Sequence, residues 1–283
     1  MTTNSRRDFL HAGTVGAAAT LFRRTMGAAP LGLPVGCQVF PIREQLANDL
    51  DGTLRQIAAI GYEVIEFCSP PGFVKTGFEP LVGLKAAELR RRIGDAGLRV
   101  VSCHYQFREL RESLDERIAF ARELGLNHMV IASMAIPRTA PLDDWKRAAE
   151  EANRFGERTR AAGMQLAFHN HGFEFREIGG VLIFDELMRR FDKELVRSQF
   201  QVSILNMGFD PAQVMANYPG RIASLHLQDW SETEKKSAPV GRGVIDWPKL
   251  FRAAKDGGIA YYFVEMNMEA MVASYPFLKA LKV

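Results

Sequence analysis

The sequence predicts a closed α/β barrel, (β/α)8, and three observations carry that expectation. Short apolar runs of strand-like period alternate eight times with amphipathic stretches of helical period. Glycines stand where an amphipathic stretch hands over to the next apolar run, at Gly61, Gly97, Gly125, Gly163 and Gly257-Gly258, the position of a helix C-cap. The chain has 283 residues. With a removable N-terminal segment of about thirty set aside, roughly 250 remain, the usual size of one such barrel.

The units follow one another regularly. Val35–Phe40 precedes Leu46–Ile60, Tyr62–Phe67 precedes Leu84–Ala96, and Leu98–Cys103 precedes Leu114–Leu124. His128–Ala132 precedes Leu142–Ala162, and Met164–Phe168 precedes Leu182–Phe191. Gln199–Leu205 precedes Pro211–Tyr218, Ile222–Leu227 precedes Trp247–Asp256, and Ile259–Glu265 precedes Met268–Leu281. Such alternation signals parallel βαβ construction. No Gly-x-Gly-x-x-Gly follows the first strand, which removes the usual support for an open dinucleotide-binding sheet. No linker or second domain is evident, so residues 31–283 read as one barrel.

Residues 1–30 read as an address. Ser5-Arg6-Arg7-Asp8-Phe9-Leu10 is a twin-arginine pattern, Phe9 to Phe22 is mildly apolar, and Gly27-Ala28-Ala29 supplies small residues. The expectation is export in the folded state, to the periplasm. The apolar stretch is too short to span a membrane. Net charge is +3, with much of the excess in this segment. The remainder is near neutral and offers no electrostatic footprint for nucleic acid. Cys37, Cys68 and Cys103 match no metal or redox spacing and read as small buried hydrophobes.

In such a barrel, chemistry gathers where the strands end. Those ends offer Glu66, His104, then His169, Asn170 and His171 with Glu174 beyond, Ser203 and Asn206, His226, Gln228 and Asp229, and finally Glu265 and Asn267. Four of the six histidines fall there. Two imidazoles and a carboxylate from separate strands, His169, His226 and Glu265, can form an incomplete cage for a divalent cation. His169 and His171, two residues apart on a strand, would face the same side. Arg242 can grip a carboxylate or hydroxyls. Trp230, Phe107 and Phe173 can stack on a sugar face, and the polar stretch Ser231–Ser237 reads as a mobile loop over the pocket.

Leu-Ala-Phe-His-Asn-His-Gly-Phe-Glu-Phe (166–175), Gly220-Arg221-Ile222 leading to Leu225-His226-Leu227-Gln228-Asp229, Val240-Gly241-Arg242-Gly243-Val244-Ile245-Asp246-Trp247 and Phe263-Val264-Glu265 together resemble the xylose isomerase-like TIM barrels, the sugar phosphate isomerases/epimerases. The resemblance covers the whole barrel. It implies a divalent cation (Mn, Mg, Co or Zn) on His169, His226 and Glu265, with an Asp from strand six. Ser203 stands where that Asp is expected, which removes a charge and a hard oxygen ligand. The implied chemistry is proton removal next to a carbonyl, with Glu265 as ligand and base, His171 as polarising group or proton shuttle, and Glu174 as the second carboxylate. His104, Glu66, Asn206, Gln228, Asp229 and Arg242 are the candidate substrate-binding residues.

The leading expectation is a sugar isomerase or epimerase acting on a small carbohydrate or glycoside derivative. The alternatives are a lyase or dehydratase on a keto-sugar or inositol derivative, and a non-catalytic carbohydrate-binding protein, the last suggested by Ser203. Neither nucleic acid nor a membrane is an expected partner, and the sequence leaves the oligomeric state open.

Overall fold

The computed structural model describes residues 29–283. The expected export segment, apart from its last two residues, lies outside them. Eight strands close into a barrel: β1 (Gly36–Gln38), β2 (Val64–Cys68), β3 (Arg99–Gln106), β4 (His128–Ser133), β5 (Gln165–His169), β6 (Val196–Gln201), β7 (Ile222–Leu227) and β8 (Tyr261–Val264). Each pairs in parallel with its chain neighbours, and β1 closes against β8 through Gly36↔Phe263. Among the described residues, no helix is long and apolar enough to cross a membrane.

Among the described residues, nine α-helices return the chain: α1 (Arg43–Asn48), α2 (Leu50–Ile60), α3 (Ala86–Asp95), α4 (Phe107–Leu124), α5 (Leu142–Ala161), α6 (Ile183–Arg190), α7 (Pro211–Ala216), α8 (Trp247–Gly257) and α9 (Met268–Ala280). Gly61, Gly125 and Gly258 cap α2, α4 and α8 in the left-handed conformation that glycine adopts without a Cβ penalty. The stretch expected as one first helix is broken at Asp49, whose carboxylate accepts from Gly52 N at 2.8 Å and starts α2 afresh. The fourth helix begins seven residues earlier than its apolar period suggests, with Phe107 at its start. Phe107 is buried against Phe155, so it belongs to the shell and offers no stacking platform.

The main core lies between sheet and helices, where Trp145, Trp247, Phe168, Phe184, Phe200 and Phe251 are sealed. Inside the barrel, the lower layers are apolar: Val64, Val101 and Phe263 form one cluster, and Val130, Ala167 and Ala223 another. Above them the interior turns polar, through Gln38, Glu66, Ser102, His104, His169, Gln199, Gln201, Ser224 and His226, all buried. An apolar plug below a polar layer places the chemistry at the C-terminal mouth.

Strand six differs most from expectation. It runs Val196–Gln201 and then turns into a 3-10 segment, Val202–Met207. The period-2 face of β6 is therefore Gln199 and Gln201. Ser203 lies past the strand, partly exposed, and Asn206 is exposed on the same turn.

Candidate active site

Glu66 is the hub of the polar layer, fully buried on β2. Its Oε1 lies 2.5 Å from His226 Nε2 and 3.0 Å from His104 Nε2. Its Oε2 accepts from Ser102 Oγ at 2.5 Å and from Gln199 Nε2 at 2.6 Å. Gln199 Nε2 also reaches Ser224 Oγ at 3.0 Å, and Gln199 Oε1 lies 2.6 Å from His104 Nε2. On the far side of that ring, Gln38 Nε2 stands 3.5 Å from His104 Nδ1. Both Glu66 oxygens are saturated and no edge is exposed, so Glu66 cannot be the substrate contact expected from the sequence. It orients imidazoles instead. His104, expected as a substrate contact, is likewise part of the buried floor.

Above the hub stand the groups of the mouth. His226 Nδ1 lies 3.2 Å from Glu265 Oε2 without hydrogen-bond geometry. Gln201 Nε2 donates to the same oxygen at 2.6 Å. The ring centroid of His169 is 4.4 Å from that of His226 and 4.8 Å from that of His171, and His171 stacks on Phe173. His104, His169 and His226 each offer a nitrogen within 4.8 Å of the others. Glu265 is 19% exposed, whereas His226 and Glu66 are sealed, so Glu265 is the carboxylate of the cluster that a ligand can reach.

The structure thus sets His226 next to both His169 and Glu265, groups His104 with His169 and His226, and adds Gln201 beside Glu265. It is Gln201, not Ser203, that β6 sends toward Glu265, because the strand ends four residues earlier than its apolar run suggests. The signal for the missed groups was present: Gln38, Ser102, Gln199, Gln201 and Ser224 interrupt apolar strand runs, each at a position where a purely structural strand would carry an aliphatic residue.

Burial and neighbouring charge divide the protonation states. Burial, reinforced by the nearby imidazoles, holds His169 well below the ordinary histidine range, and burial takes His171 down to about 4. Burial also opposes charge on His226, but Glu265 and Glu66 together outweigh it and push it up to about 10. For Glu66 and Glu265 burial works against ionisation, yet the imidazoles beside them keep both below the usual carboxylate range. The apo cluster is therefore two carboxylates around one imidazolium, flanked by neutral His169 and His171.

Glu174 has a different place from the one expected. It is buried, its Oε2 accepts from His171 N at 2.8 Å, and burial raises it to about 8. It fixes the turn that carries His171. Asn170, also buried, accepts from Gln201 N at 3.0 Å and ties β5 to β6.

Asp229 is the second correction. Its Oδ1 accepts from Trp230 N at 2.9 Å and Ile245 N at 3.1 Å, and its Oδ2 from Gly241 N at 3.0 Å and Trp247 Nε1 at 2.8 Å. A carboxylate with four donors is an anchor for the Val240–Trp247 loop and has no capacity left for substrate. Gly243 is required there, since a Cβ would lie 2.3 Å from Asp229 Oδ1 and Trp230 O. Asp246 accepts from Lys249 N and caps α8. Arg242 is exposed on this loop, and Gln228 is half-buried behind the end of β7. The polar stretch expected as a lid forms a hairpin, Asp229–Ser231 against Lys236–Ala238. We expect Asp229→Ala to cost at least about 3 kcal/mol in urea unfolding, because several buried donors lose their acceptor at once. A loss below about 1 kcal/mol would contradict the anchor role.

These titrations predict a stability optimum. Between roughly pH 4.5 and 6.5, the unfolded chain takes up protons on His128, His169 and His171 that the folded chain refuses, His128 being held at about 4 by burial. Over the same window folded Glu174 keeps a proton that the unfolded chain releases. The net difference favours the folded state as pH rises, at about 1.4 kcal/mol per pH unit for each proton. Above 6.5 the sign reverses, because Glu174, to about 8, and His226, to about 10, hold protons only in the folded state. Urea midpoints of chelator-treated protein should therefore peak near about pH 6.5, and a midpoint still climbing at pH 9 would refute these assignments.

Comparison with known proteins agrees with this fold. A model of the xylose isomerase-like TIM barrel matches residues 54–281. The chain belongs to that family. A sugar phosphate isomerase/epimerase from Parabacteroides distasonis superposes with a TM-score of 0.74 at 28% identity, over 87% of this chain and 93% of that one. Inosose dehydratase of Lacticaseibacillus casei is 28% identical over 160 residues, 50% of this chain and 52% of its own, so the chain spans about half the length of the curated relatives it matches. The IolI protein, solved with a bound zinc atom, has the same fold with a TM-score of 0.66 at 14% identity, over 87% of this chain and 96% of that one. In this chain the ends of β5, β7 and β8 bring His169, His226 and Glu265 to one mouth, whereas the Val240–Trp247 loop wraps Asp229.

Proposed function

We propose that the protein is an isomerase or epimerase of small polyhydroxylated carbonyl compounds, acting by proton transfer at the carbon next to the carbonyl. The observation that carries this reading is the reachable Glu265 carboxylate, kept ionised beside His226, whose ring packs on the neutral imidazole of His169 with His171 next to it. Glu265 takes the proton from the carbon and the electron pair moves onto the carbonyl oxygen as an enediolate. Protonation of the other face of that carbon by a proton from solvent, while Glu265 keeps the one it removed, gives the epimer. Returning the removed proton to the neighbouring carbon, after the hydroxyl proton has moved, gives the isomer. His171, neutral near pH 7, can take up and return that second proton. Gln201 holds Glu265 in place through the 2.6 Å contact to Oε2.

The donors fit a divalent cation: His169 Nδ1, His226 Nδ1 and Gln201 Oε1 are buried without hydrogen-bond partners, next to the Glu265 carboxylate. Such an ion, held by His169, His226 and Glu265, would supply Lewis-acid polarisation of the substrate carbonyl.

A lyase reading shares the first step. If the carbon beyond the enediolate carries a hydroxyl, expelling it as water completes a dehydration. The similarity to inosose dehydratase over half the chain favours this second reading. Incubation of ketoses and inososes in D₂O separates the two. Deuterium at the carbon next to the carbonyl with retention of all hydroxyls supports isomerisation, and loss of water with a new conjugated absorbance supports the lyase. Absence of both across the panel overturns enzymatic proton abstraction. We further propose export through the Arg6-Arg7 segment. A fusion carrying Arg6→Lys and Arg7→Lys should remain in the cytoplasm, and its arrival in the periplasm would overturn that address.

A further inference from the structure

We infer that the mouth of this barrel is a nitrogen-rich cage that selects a borderline transition-metal cation of the zinc, cobalt or nickel class and discriminates against magnesium, manganese and calcium. The inference rests on the proposed cation site and adds to it which ion the side chains can hold.

Hard cations are bound through oxygen and charge, magnesium and calcium by carboxylates, carbonyls and water. The mouth has little of either to give. Glu265 is the reachable carboxylate, and one of its oxygens is already shared with the Gln201 amide. Both oxygens of Glu66 are engaged by Ser102, His104, Gln199 and His226. Glu174 is sealed away from the mouth's surface and gives Oε2 to its own turn, and Asp229 is spent on the loop before α8. The position on β6 that faces Glu265 is Gln201, a neutral amide.

Nitrogen, by contrast, is abundant. Three imidazoles from β3, β5 and β7 place a nitrogen each within 4.8 Å of the others. Tetrahedral ligands with bonds of about 2.1 Å stand roughly 3.4 Å apart, so the cage must draw in by about an ångström. Glu66 prepares the His226 ring, because its Oε1 faces Nε2 and leaves Nδ1 without a partner, as His169 Nδ1 also is, whereas His104 has to give up the 3.5 Å contact of its Nδ1 with Gln38 to join them. An imidazole-dominated set with one carboxylate favours later first-row ions over earlier ones, following the usual affinity order.

The test is metal binding to the full chain after chelator treatment and dialysis, by calorimetry with each ion alone. Zinc, cobalt and nickel should bind with one-to-one stoichiometry, at least about a hundredfold more tightly than manganese, magnesium or calcium. Cobalt should give the visible absorption of a low-coordinate nitrogen site. His169→Gln should weaken zinc at least tenfold with an unchanged urea midpoint, and Gln201→Glu should narrow the gap to manganese. Manganese or magnesium within tenfold of zinc would overturn the inference, as would zinc affinity indifferent to His169→Gln. Zinc binding with neither deuterium exchange nor loss of water across the panel leaves the cage standing and removes the enzyme reading. Exchange in chelator-treated protein that magnesium restores as well as zinc does the reverse.

Discussion

Glu265→Gln should lower solvent-deuterium exchange into substrate by about a thousandfold while leaving the fold intact, an effect within the usual range for losing a positioned general base. The reason lies in the division of labour between the two carboxylates. Glu265 has an exposed edge and a single firm contact, from Gln201 Nε2. A glutamine there can still accept that bond, and the mouth can rehydrate the rest. What disappears is the charge that removes a proton from carbon. The measurement is exchange by NMR at several substrate concentrations, with urea unfolding alongside. A drop in kcat with KM little changed identifies a group that acts in the transition state. A variant retaining more than about a tenth of the rate would assign the base elsewhere, with His171 the next candidate.

Glu66→Ala should have the opposite signature: a large loss of stability and a disordered site. The substitution leaves Ser102 Oγ, Gln199 Nε2 and the Nε2 atoms of His104 and His226 facing a hole in a sealed layer. Removing one partner from a buried charged network costs on the order of 3–5 kcal/mol. His226, held as an imidazolium partly by Glu66, would also lose that support and titrate lower. Glu66→Gln keeps an acceptor for His226 but turns an amide donor toward the Gln199 amide, so the expected loss is smaller, about 1–3 kcal/mol. Urea midpoints of both variants, with the histidine resonances of Glu66→Gln, check this. If Glu66→Ala loses less than about 1 kcal/mol, the hub is not a stabilising network.

Glu66 also marks where reading from sequence stops. Its position at the end of an apolar run is plain, and so is its polarity. Which way it faces depends on register. The pairing of β2 with β3 shifts at Ile65/Glu66, and that of β6 with β7 shifts at Ser198/Gln199. Such irregularities re-aim side chains, and these two bring Glu66 and Gln199 into contact across the barrel, 133 residues apart in sequence. No local period encodes that meeting. The same holds for Asp229, whose four donors come from its neighbour and from residues 12 to 18 positions along the chain.

By itself, then, the sequence determines what local forces decide. Period and glycine placement set eight strand–helix units, because a strand buries alternate residues and a left-handed C-cap wants glycine. Polar residues at strand ends set which side chains reach the mouth, so His169, His226 and Glu265 are legible at once. Barrel closure decided the rest. It ended β6 at Gln201, sealed Glu66 beneath the imidazoles, spent Asp229 on a loop and Glu174 on a turn, and so left Glu265 as the carboxylate of the cluster that a ligand can touch. Burial is a property of the closed barrel, and burial decides which of these charges can act.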